Sequence, residues 1–315
     1  MPTSPAADPA GAATLLASAA PAPPPALILE GRSVAVALRA EVKARIEDLK
    51  TRHPVLPGLA IVVAGDDPAS RSYLNQILKT CAGVGLPAEL FELPATAGRQ
   101  VIQAEISYLN GLPSVAGIIV QQPLPEPMGP DVVTDVLDPA KDIDGIHPRN
   151  IGGLALGYTA LDFFQPATPL AGMEILSRYE IPLRGKHALV IGRSAIVGKP
   201  LALLLLAANA TVTIAHSRTP PDMLRALARE ADIVAAAVGK PGLVTGDMLK
   251  PGAVVLDFGV SVVDGALVGD ADAASVARVA GAYTPVPGGI GPVTNLMLVQ
   301  NTLRSVRRML REPAN

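Results

Sequence analysis

The sequence contains little cysteine, few aromatic residues and little charge. Its 315 residues include one cysteine, no tryptophan, five tyrosines and four phenylalanines, and 17% of the residues are charged. The single Cys81 excludes an internal disulfide framework and a zinc site built from cysteines. The four histidines are scattered without a carboxylate cluster, so the sequence predicts no metal site.

Charge and hydrophobic runs exclude two further classes of protein. The net charge is −2 and the pI is near 6.1, which argues against nucleic-acid binding, because that function needs a basic face. The apolar run 201–208 is too short to span a membrane. Residues 1–28 are mostly alanine and proline and lack the features of a targeting peptide. We therefore expect a disordered tail there and a cytoplasmic protein.

From Leu29 onward, predicted strands and helices alternate. The predicted helices are 34–49, 70–84, 99–109, 167–179, 197–208, 221–230 and 292–310; the predicted strands are 59–64, 88–93, 115–120, 187–191, 211–215, 233–238 and 254–257. This alternation predicts an α/β fold with parallel sheets, and the length suits two domains. Ligands of such sheets bind at the carboxyl ends of the strands, so the chemistry is expected there.

A glycine-rich loop follows the predicted strand 187–191. Gly192 permits a tight turn at the strand end, and Gly198 lets the next helix pack closely as it begins. Backbone N–H groups at the start of that helix suit a pyrophosphate. The spacing departs from the strict G-x-G-x-x-G pattern, so an ordinary strand-to-helix turn remains an alternative.

The next strand ends in His216-Ser217-Arg218. Enzymes that use NAD tend to carry an acidic residue here, which binds the ribose hydroxyls. Arg218 together with Arg193 suits a 2′-phosphate instead, so the pattern favours NADP. The alternative is that both arginines are ordinary surface residues.

Several candidate residues have simpler interpretations. His216 and His147 are interpreted as structural. Asp142 and Asp144 fit a solvated loop pair as well as a functional pair. Cys81 lies within a predicted helix and is interpreted as a buried apolar residue rather than a nucleophile.

Five segments resemble one family. They are GDDPAS at 65–70 followed by Tyr73, VQ-x-PLP at 120–125, KDIDG at 141–145, GRS-x-x-VG at 192–198 and TPVPGGIGP at 284–292. Together they resemble the methylenetetrahydrofolate dehydrogenase/methenyltetrahydrofolate cyclohydrolase family, over nearly the whole chain from Leu29. That family acts in one-carbon metabolism.

The resemblance implies two three-layer α/β domains with a cleft between them. Residues 29–148 would form a folate-binding catalytic domain, completed by a C-terminal helix at 292–311. Residues 149–291 would form a Rossmann-like NADP-binding domain. A homodimer is implied as well.

The resemblance also assigns roles to individual residues. On the folate side, Tyr73 would stack on the p-aminobenzoyl group, Gln121 would lie by the one-carbon bridge, and Asp144 would bind the pterin. The other predicted substrate-binding residues are Ser70, Pro287, Gly288 and Gly289. The predicted cofactor-binding residues are Gly192, Arg193, Ser194, Val197, Gly198, Ser217, Arg218 and Val244, the last through its backbone near the nicotinamide.

One departure from the family pattern bears on catalysis. The family carries Tyr-x-x-x-Lys, with the lysine central to the cyclohydrolase step, whereas Ile77 stands four residues after Tyr73 here. The flanking segments align without gaps. Lys79 lies about 200° further round the helix and cannot replace the amine. Isoleucine carries no proton, so we expect dehydrogenase activity with weak or absent cyclohydrolase activity.

Smaller departures are Gln122, Ala167 and Ala171, and they also fall on the folate side. Two alternative functions remain open. One is a dehydrogenase for a different folate-like substrate, and the other is a non-catalytic protein that binds NADP or folate.

Overall fold

The computed structural model describes residues 25–158 and 163–312. The helices are α1 (Gly31–Arg52), α2 (Pro68–Val84), α3 (Arg99–Gly111), α4 (Asp131–Thr134), α5 (Pro148–Ala155), α6 (Ala167–Arg178), α7 (Gly198–Ala207), α8 (Pro221–Glu230), α9 (Ala273–Val276) and α10 (Ile290–Met309). The strands are β1 (Leu27–Ile28), β2 (Gly58–Ala64), β3 (Ala88–Leu93), β4 (Val115–Val120), β5 (His187–Ile191), β6 (Thr211–Ala215), β7 (Ile233–Ala236), β8 (Val254–Asp257), β9 (Ser261–Val263), β10 (Ala266–Val268) and β11 (Ala282–Tyr283).

Two parallel sheets organise the molecule, and the predicted α/β class is confirmed. A three-stranded sheet has the order β3-β2-β4, and a six-stranded sheet has the order β1-β11-β8-β7-β5-β6. Every neighbouring pair in both sheets is parallel. Strands β2 and β4 are buried along almost their full length, which explains why they read as continuous apolar runs.

The N-terminal prediction needs one correction. Residues 1–28 were expected to be disordered, but Leu27 and Ile28 pair in parallel with Ala282 and Tyr283 at the edge of the large sheet. Two residues carry too little pattern for a strand to be predicted from sequence, and β1 depends on a partner more than 250 residues away in the chain. Residues 1–24 lie outside the described part of the chain.

Local chemistry explains how the helices near the site begin and end. Asp67 caps α2 by accepting a hydrogen bond from Ser70 N at 2.7 Å, and Pro68 occupies the first turn. Lys141 caps the C-terminal end of α3. Its ammonium donates to the carbonyl oxygens of Asn110 at 2.7 Å and Leu112 at 2.8 Å, where the helix dipole is negative.

Helix α10 returns from the large sheet to the small one. It packs against α1, α2, α6 and β4. Buried polar side chains fix it there: Asn301 Nδ2 donates to Ile143 O at 2.8 Å, and Ser305 Oγ donates to Ala116 O at 2.5 Å. Because these bonds are buried, breaking one would leave a carbonyl unsatisfied and cost about 1–3 kcal/mol.

The structure adds elements that the sequence did not predict. These are the short helices α4, α5 and α9, strand β11, and the antiparallel hairpin of β9 and β10. Among the described residues no helix is long and apolar enough to cross a membrane.

Candidate active site

The first part of the candidate site lies on α2. Ser70 and Tyr73 occupy the first two turns, and Tyr73 retains 37% of its surface exposed. Ile77 lies one turn further on and is completely buried in the main hydrophobic core. Lys79 is exposed to solvent. Helix α2 therefore presents an aromatic ring and a hydroxyl to the site, and it supplies no amine at position 77.

Gln121 joins this group from the end of β4. Its backbone N–H donates to Val62 O at 2.8 Å, which continues the sheet by one residue. Its side-chain Nε2 donates to Gln122 O at 2.7 Å and lies 3.4 Å from Ser70 Oγ. The end of β4 and the start of α2 thus meet at one point, as expected for strand ends in a parallel sheet.

Asp144 belongs to a loop anchored by Asp142. The Asp142 carboxylate is fully buried and accepts hydrogen bonds from His147 N and Asn150 Nδ2, both at 2.7 Å. The alternative of a solvated aspartate pair is therefore wrong for Asp142. Asp144 itself is partly buried.

The protonation of Asp144 reflects this setting. Loss of solvent, followed by the charge of Asp142, raises the pKa of Asp144 to about 7. Partial desolvation and then the charge of Asp144 raise the pKa of the Tyr73 hydroxyl above its ordinary value. Burial therefore favours the protonated form of both groups, and a ligand that donates hydrogen bonds would favour the carboxylate form of Asp144.

The segment 284–289, which directly precedes α10, is held by backbone hydrogen bonds to α1 and within itself. Gly288 has a φ of 110°, a conformation that favours glycine, and its carbonyl accepts from Arg32 N at 3.2 Å. Gly289 N donates to Pro285 O at 2.8 Å. Helix α10 begins directly afterwards and packs against α2 and β4, the elements that carry Tyr73 and Gln121.

The glycine-rich loop after β5 has the close approach that its sequence predicts. Gly192 has a φ of 134°, and a Cβ there would collide with the carbonyl of Ala237. A Cβ at Gly198 would collide with the carbonyl of Gly192. Ser194 Oγ accepts from Val197 N at 3.0 Å and Gly198 N at 3.2 Å, which shapes the start of α7. The residues fit a pyrophosphate bound against backbone N–H groups.

The two arginines lie at the ends of adjacent strands. Ile191 and Ala215 are register partners in β5 and β6, and Gly192 N donates to Ala215 O at 2.8 Å. Arg193, Ser217 and Arg218 follow these strand ends and are exposed. His216 Nδ1 accepts from Arg218 N at 3.2 Å, in keeping with a structural role.

Val244 is the remaining predicted cofactor-binding residue, and its backbone groups have partners within the protein. Its side chain is completely buried. Its N–H donates to Asp270 O at 3.0 Å, and its carbonyl accepts from Asp272 N at 2.9 Å. The N–H is thus already paired, whereas the carbonyl oxygen keeps a second lone pair, so the contact with the nicotinamide stays a prediction.

Cys81 is buried and forms no disulfide, as predicted, and burial raises the pKa of its thiol to about 12.

Three functional candidates were not recognised from the sequence. Asn150 anchors Asp142, and the buried carboxylates of Asp257 and Asp270 accept hydrogen bonds from loops at the strand ends. The position of Asp257 at the end of β8 was the available signal; nothing local marks Asp270.

Comparison with known proteins identifies the family to which both parts of the chain are similar. Residues 29–144 match the family model of the tetrahydrofolate dehydrogenase/cyclohydrolase catalytic domain. Residues 166–310 match the model of the NAD(P)-binding domain of the same family. Together the two matches cover most of the chain.

Individual relatives agree over nearly their full length. The bifunctional protein FolD of Herpetosiphon aurantiacus is 50% identical over 285 residues, which cover 90% of this chain and 98% of the relative. The crystal structure of the bifunctional enzyme FolD from Campylobacter jejuni is 38% identical with a TM-score of 0.86, covering 89% of this chain and 98% of that one. The Trypanosoma brucei enzyme, solved with NADP and an inhibitor, is 35% identical with a TM-score of 0.88, covering 92% and 100%. The chain belongs to the tetrahydrofolate dehydrogenase/cyclohydrolase family.

Proposed function

We propose that this chain oxidises 5,10-methylenetetrahydrofolate to 5,10-methenyltetrahydrofolate with NADP, and that its cyclohydrolase activity is weak or absent. The observation that carries the proposal is that the chain keeps the residues expected to bind folate but has no amine at position 77. Gln121 lies 3.4 Å from Ser70 on α2, the helix that also carries the half-exposed Tyr73, while Ile77 is buried in the core one helical turn away.

On the folate side, the side chains suit binding and orientation. The half-exposed ring of Tyr73 can stack on an aryl group. The carboxylate of Asp144 can accept two N–H groups of a pterin, and such a ligand would restore the interactions lost on burial. Gln121 is held by Ser70 and Gln122, so its amide has a defined orientation before substrate arrives.

On the cofactor side, the backbone performs most of the binding. The loop from Gly192 to Gly198 offers N–H groups to a pyrophosphate, and Arg193 and Arg218 suit a 2′-phosphate. Bound NADP would supply the hydride acceptor. The protein then contributes alignment of donor and acceptor, a step that needs no strong base.

The preference for NADP has two supports. The T. brucei relative was solved with NADP. In this chain the segment after β6 carries Ser217 and Arg218, and no acidic side chain follows the strand directly. An acidic residue there would repel a 2′-phosphate, whereas guanidinium groups attract it.

The cyclohydrolase step is the point at which this chain departs from its family. Hydrolysis needs a group that moves a proton, and such groups contribute roughly 10²–10⁴-fold. Ile77 cannot supply one, and Lys79 is solvent-exposed on another face of α2. The binding residues are unaffected by this change, so oxidation continues without efficient hydrolysis.

The test is a pair of rates measured on one preparation. We expect NADPH to form when methylenetetrahydrofolate is supplied, and methenyltetrahydrofolate to disappear no faster than in buffer. Hydrolysis at the rate of a bifunctional relative assayed in parallel would contradict the proposed loss. Absence of NADPH formation would favour a different folate-like substrate, and tight binding without any turnover would favour a non-catalytic role.

A homodimer is also proposed, on the family resemblance and on exposed apolar side chains. Val262, Val263 and Leu267 on the β9–β10 hairpin are 69%, 43% and 46% exposed. Exposed apolar side chains on one hairpin are typical of an interface. Analytical ultracentrifugation should give the mass of a dimer, and Val262→Lys should shift the protein toward monomer. A monomer at micromolar concentration in the unaltered protein would contradict the proposal.

A further inference from the structure

Asp270 organises a loop that lies outside its own part of the chain. It is completely buried. Its Oδ2 accepts hydrogen bonds from Val238 N at 2.7 Å and Gly239 N at 3.1 Å, and its Oδ1 accepts from Lys240 N at 2.6 Å. One carboxylate therefore pairs three consecutive amides of the loop that follows β7.

This loop, residues 237–240, lies against the proposed cofactor loop. Ala237 N donates to Ile191 O at 2.8 Å, at the end of β5. The carbonyl of Ala237 occupies the space where a side chain of Gly192 would be. A displacement of the loop 237–240 would therefore move the Ala237 carbonyl group, which packs against Gly192.

A second buried carboxylate holds Asp270 in place. Asp257, at the end of β8, is 3% exposed. Its Oδ1 accepts from Gly259 N at 2.9 Å and Asp270 N at 3.0 Å, and its Oδ2 accepts from Ala271 N at 2.8 Å. Asp257 thus fixes the backbone of Asp270, while the side chain of Asp270 fixes the loop 237–240.

The same connection extends to the folate side. Asp257 N donates to Thr284 Oγ1 at 2.8 Å, and Thr284 is 3% exposed. Thr284 begins the segment 284–289, whose Pro287, Gly288 and Gly289 are proposed to line the pterin pocket. A continuous series of hydrogen bonds therefore joins this segment, through Asp257 and Asp270, to the loop beside Gly192.

Two glycines show how closely the carboxylates are packed. A Cβ at Gly259 would collide with the carboxylate of Asp270, and a Cβ at Gly269 would collide with the carboxylate of Asp257. Each carboxylate accepts three hydrogen bonds from backbone N–H groups. An asparagine at either position would turn an NH₂ group toward an N–H donor, so neutral replacement cannot preserve the arrangement.

We propose that Asp257 and Asp270 are positioning residues, which set the cofactor loop relative to the folate-lining segment. The inference rests on the proposed function for the identity of the two ligands. It assigns neither carboxylate a contact with substrate or cofactor. Their effect is transmitted through backbone amides to Gly192 on one side and through Thr284 to the segment 284–289 on the other.

The main test is Asp270→Asn, with Asp272→Asn as the matched control. Asp272 is exposed, lies two residues away, and its side chain does not cap α9. In Asp270→Asn, loss of hydrogen bonds to a charged acceptor should raise the KM for NADP and the Kd for NADPH about tenfold. The Kd for a folate analogue measured without cofactor should change less than twofold. Asp272→Asn should match the unaltered protein in all three quantities.

A purely structural role predicts a different outcome. In that case the Tm of Asp270→Asn would fall, while the Kd for NADPH measured well below the Tm would stay unchanged, and this result would overturn the inference. The NADPH titration needs no turnover, so it remains decisive even if the folate substrate is misidentified. Failure of the unaltered protein to oxidise methylenetetrahydrofolate would instead contradict the proposed function.

A second variant keeps the inference testable if Asp270→Asn does not fold. Thr284→Val keeps the shape of the side chain and removes the acceptor of Asp257 N. We expect the KM values for NADP and for the folate substrate to rise together by about threefold, because this link lies between the two sites. Unchanged values for both would show that the connection has no role in positioning.

Discussion

The folate side and the cofactor side of this molecule differ in whether side chains or backbone groups form the binding surface. Both lie at the carboxyl ends of parallel strands, but the cofactor side is formed mostly by backbone, with Gly192 and Gly198 allowing close approach. The folate side depends on the side chains of Tyr73, Gln121 and Asp144. A site made of backbone is lost when the local backbone is displaced, whereas a site made of side chains can lose one function at a single position without any change of the backbone.

Ile77 illustrates the second case. It is completely buried beside Leu74 and Cys81 in a continuous core. Burying an isoleucine stabilises a protein by roughly 1.5–3 kcal/mol. An isoleucine at this position therefore favours folding and carries no proton. The fold is retained and only the second activity is expected to disappear.

The largest expected effect comes from introducing an amine at position 77. Ile77→Lys should raise the hydrolysis of methenyltetrahydrofolate by roughly 10²-fold or more, because it adds a positioned acid–base group. Ile77→Met is the matched control, since it has similar length and no amine, and it should leave hydrolysis unchanged. Equal rates in the two variants would show that the folate side has changed in more than one respect.

The backbone-built side can be challenged at Gly192. Gly192→Ala should weaken NADP binding by about 10²-fold, because φ is 134° and the added methyl group collides with Ala237. Gly111→Ala is the control, since a Cβ there meets nothing within 4 Å. The measurement is an NADPH titration. An affinity of Gly192→Ala for NADPH within twofold of the unaltered protein would contradict the conclusion that backbone geometry forms the cofactor side.

On the folate side, the ionisation of Asp144 should make the activity depend on pH. With a pKa of about 7, Asp144 is mostly protonated near pH 6 and mostly ionised near pH 8, so kcat/KM for the folate substrate should be about tenfold lower near pH 6. Asp144→Asn should bind more weakly and lose this dependence. A profile that stays flat in the unaltered protein would contradict the proposed role.

The same pKa has a consequence for stability. A carboxyl group whose folded-state pKa is raised binds its proton more tightly in the folded state than in the unfolded chain. The contribution of Asp144 to the free energy of unfolding therefore decreases as the pH rises from about 4 to 7. Chemical denaturation near pH 5 and near pH 8 should show a smaller difference in Asp144→Asn than in the unaltered protein.

The smallest expected effect concerns the choice of cofactor. Arg218 is exposed, so its pairing with a 2′-phosphate is screened by solvent. Arg218→Ala should raise the KM for NADP by about fivefold and leave the KM for NAD unchanged. Arg225→Ala, a surface arginine on α8, serves as the control. An equal change for both cofactors would indicate a general effect on the fold.

Most of the regular structure could be predicted from sequence because its patterns are local. Strands β3 and β5 and helix α8 have the predicted bounds, since apolar runs and amphipathic spacing report burial directly. The hairpin of β9 and β10 was missed because its valines are exposed and lack a buried face. Strand β1 was missed because two residues become a strand only beside Ala282 and Tyr283.

The sequence alone determined the order of strands and helices, the glycine-rich loop and the presence of an isoleucine at position 77, because each of these is a property of neighbouring residues. Only the tertiary structure decided that Asp144 has a raised pKa, that the backbone N–H of Val244 is already paired, and that Asp257 and Asp270 link two loops. Desolvation and hydrogen bonding between distant segments depend on what surrounds a residue in space, and the order of residues in the chain does not record those surroundings.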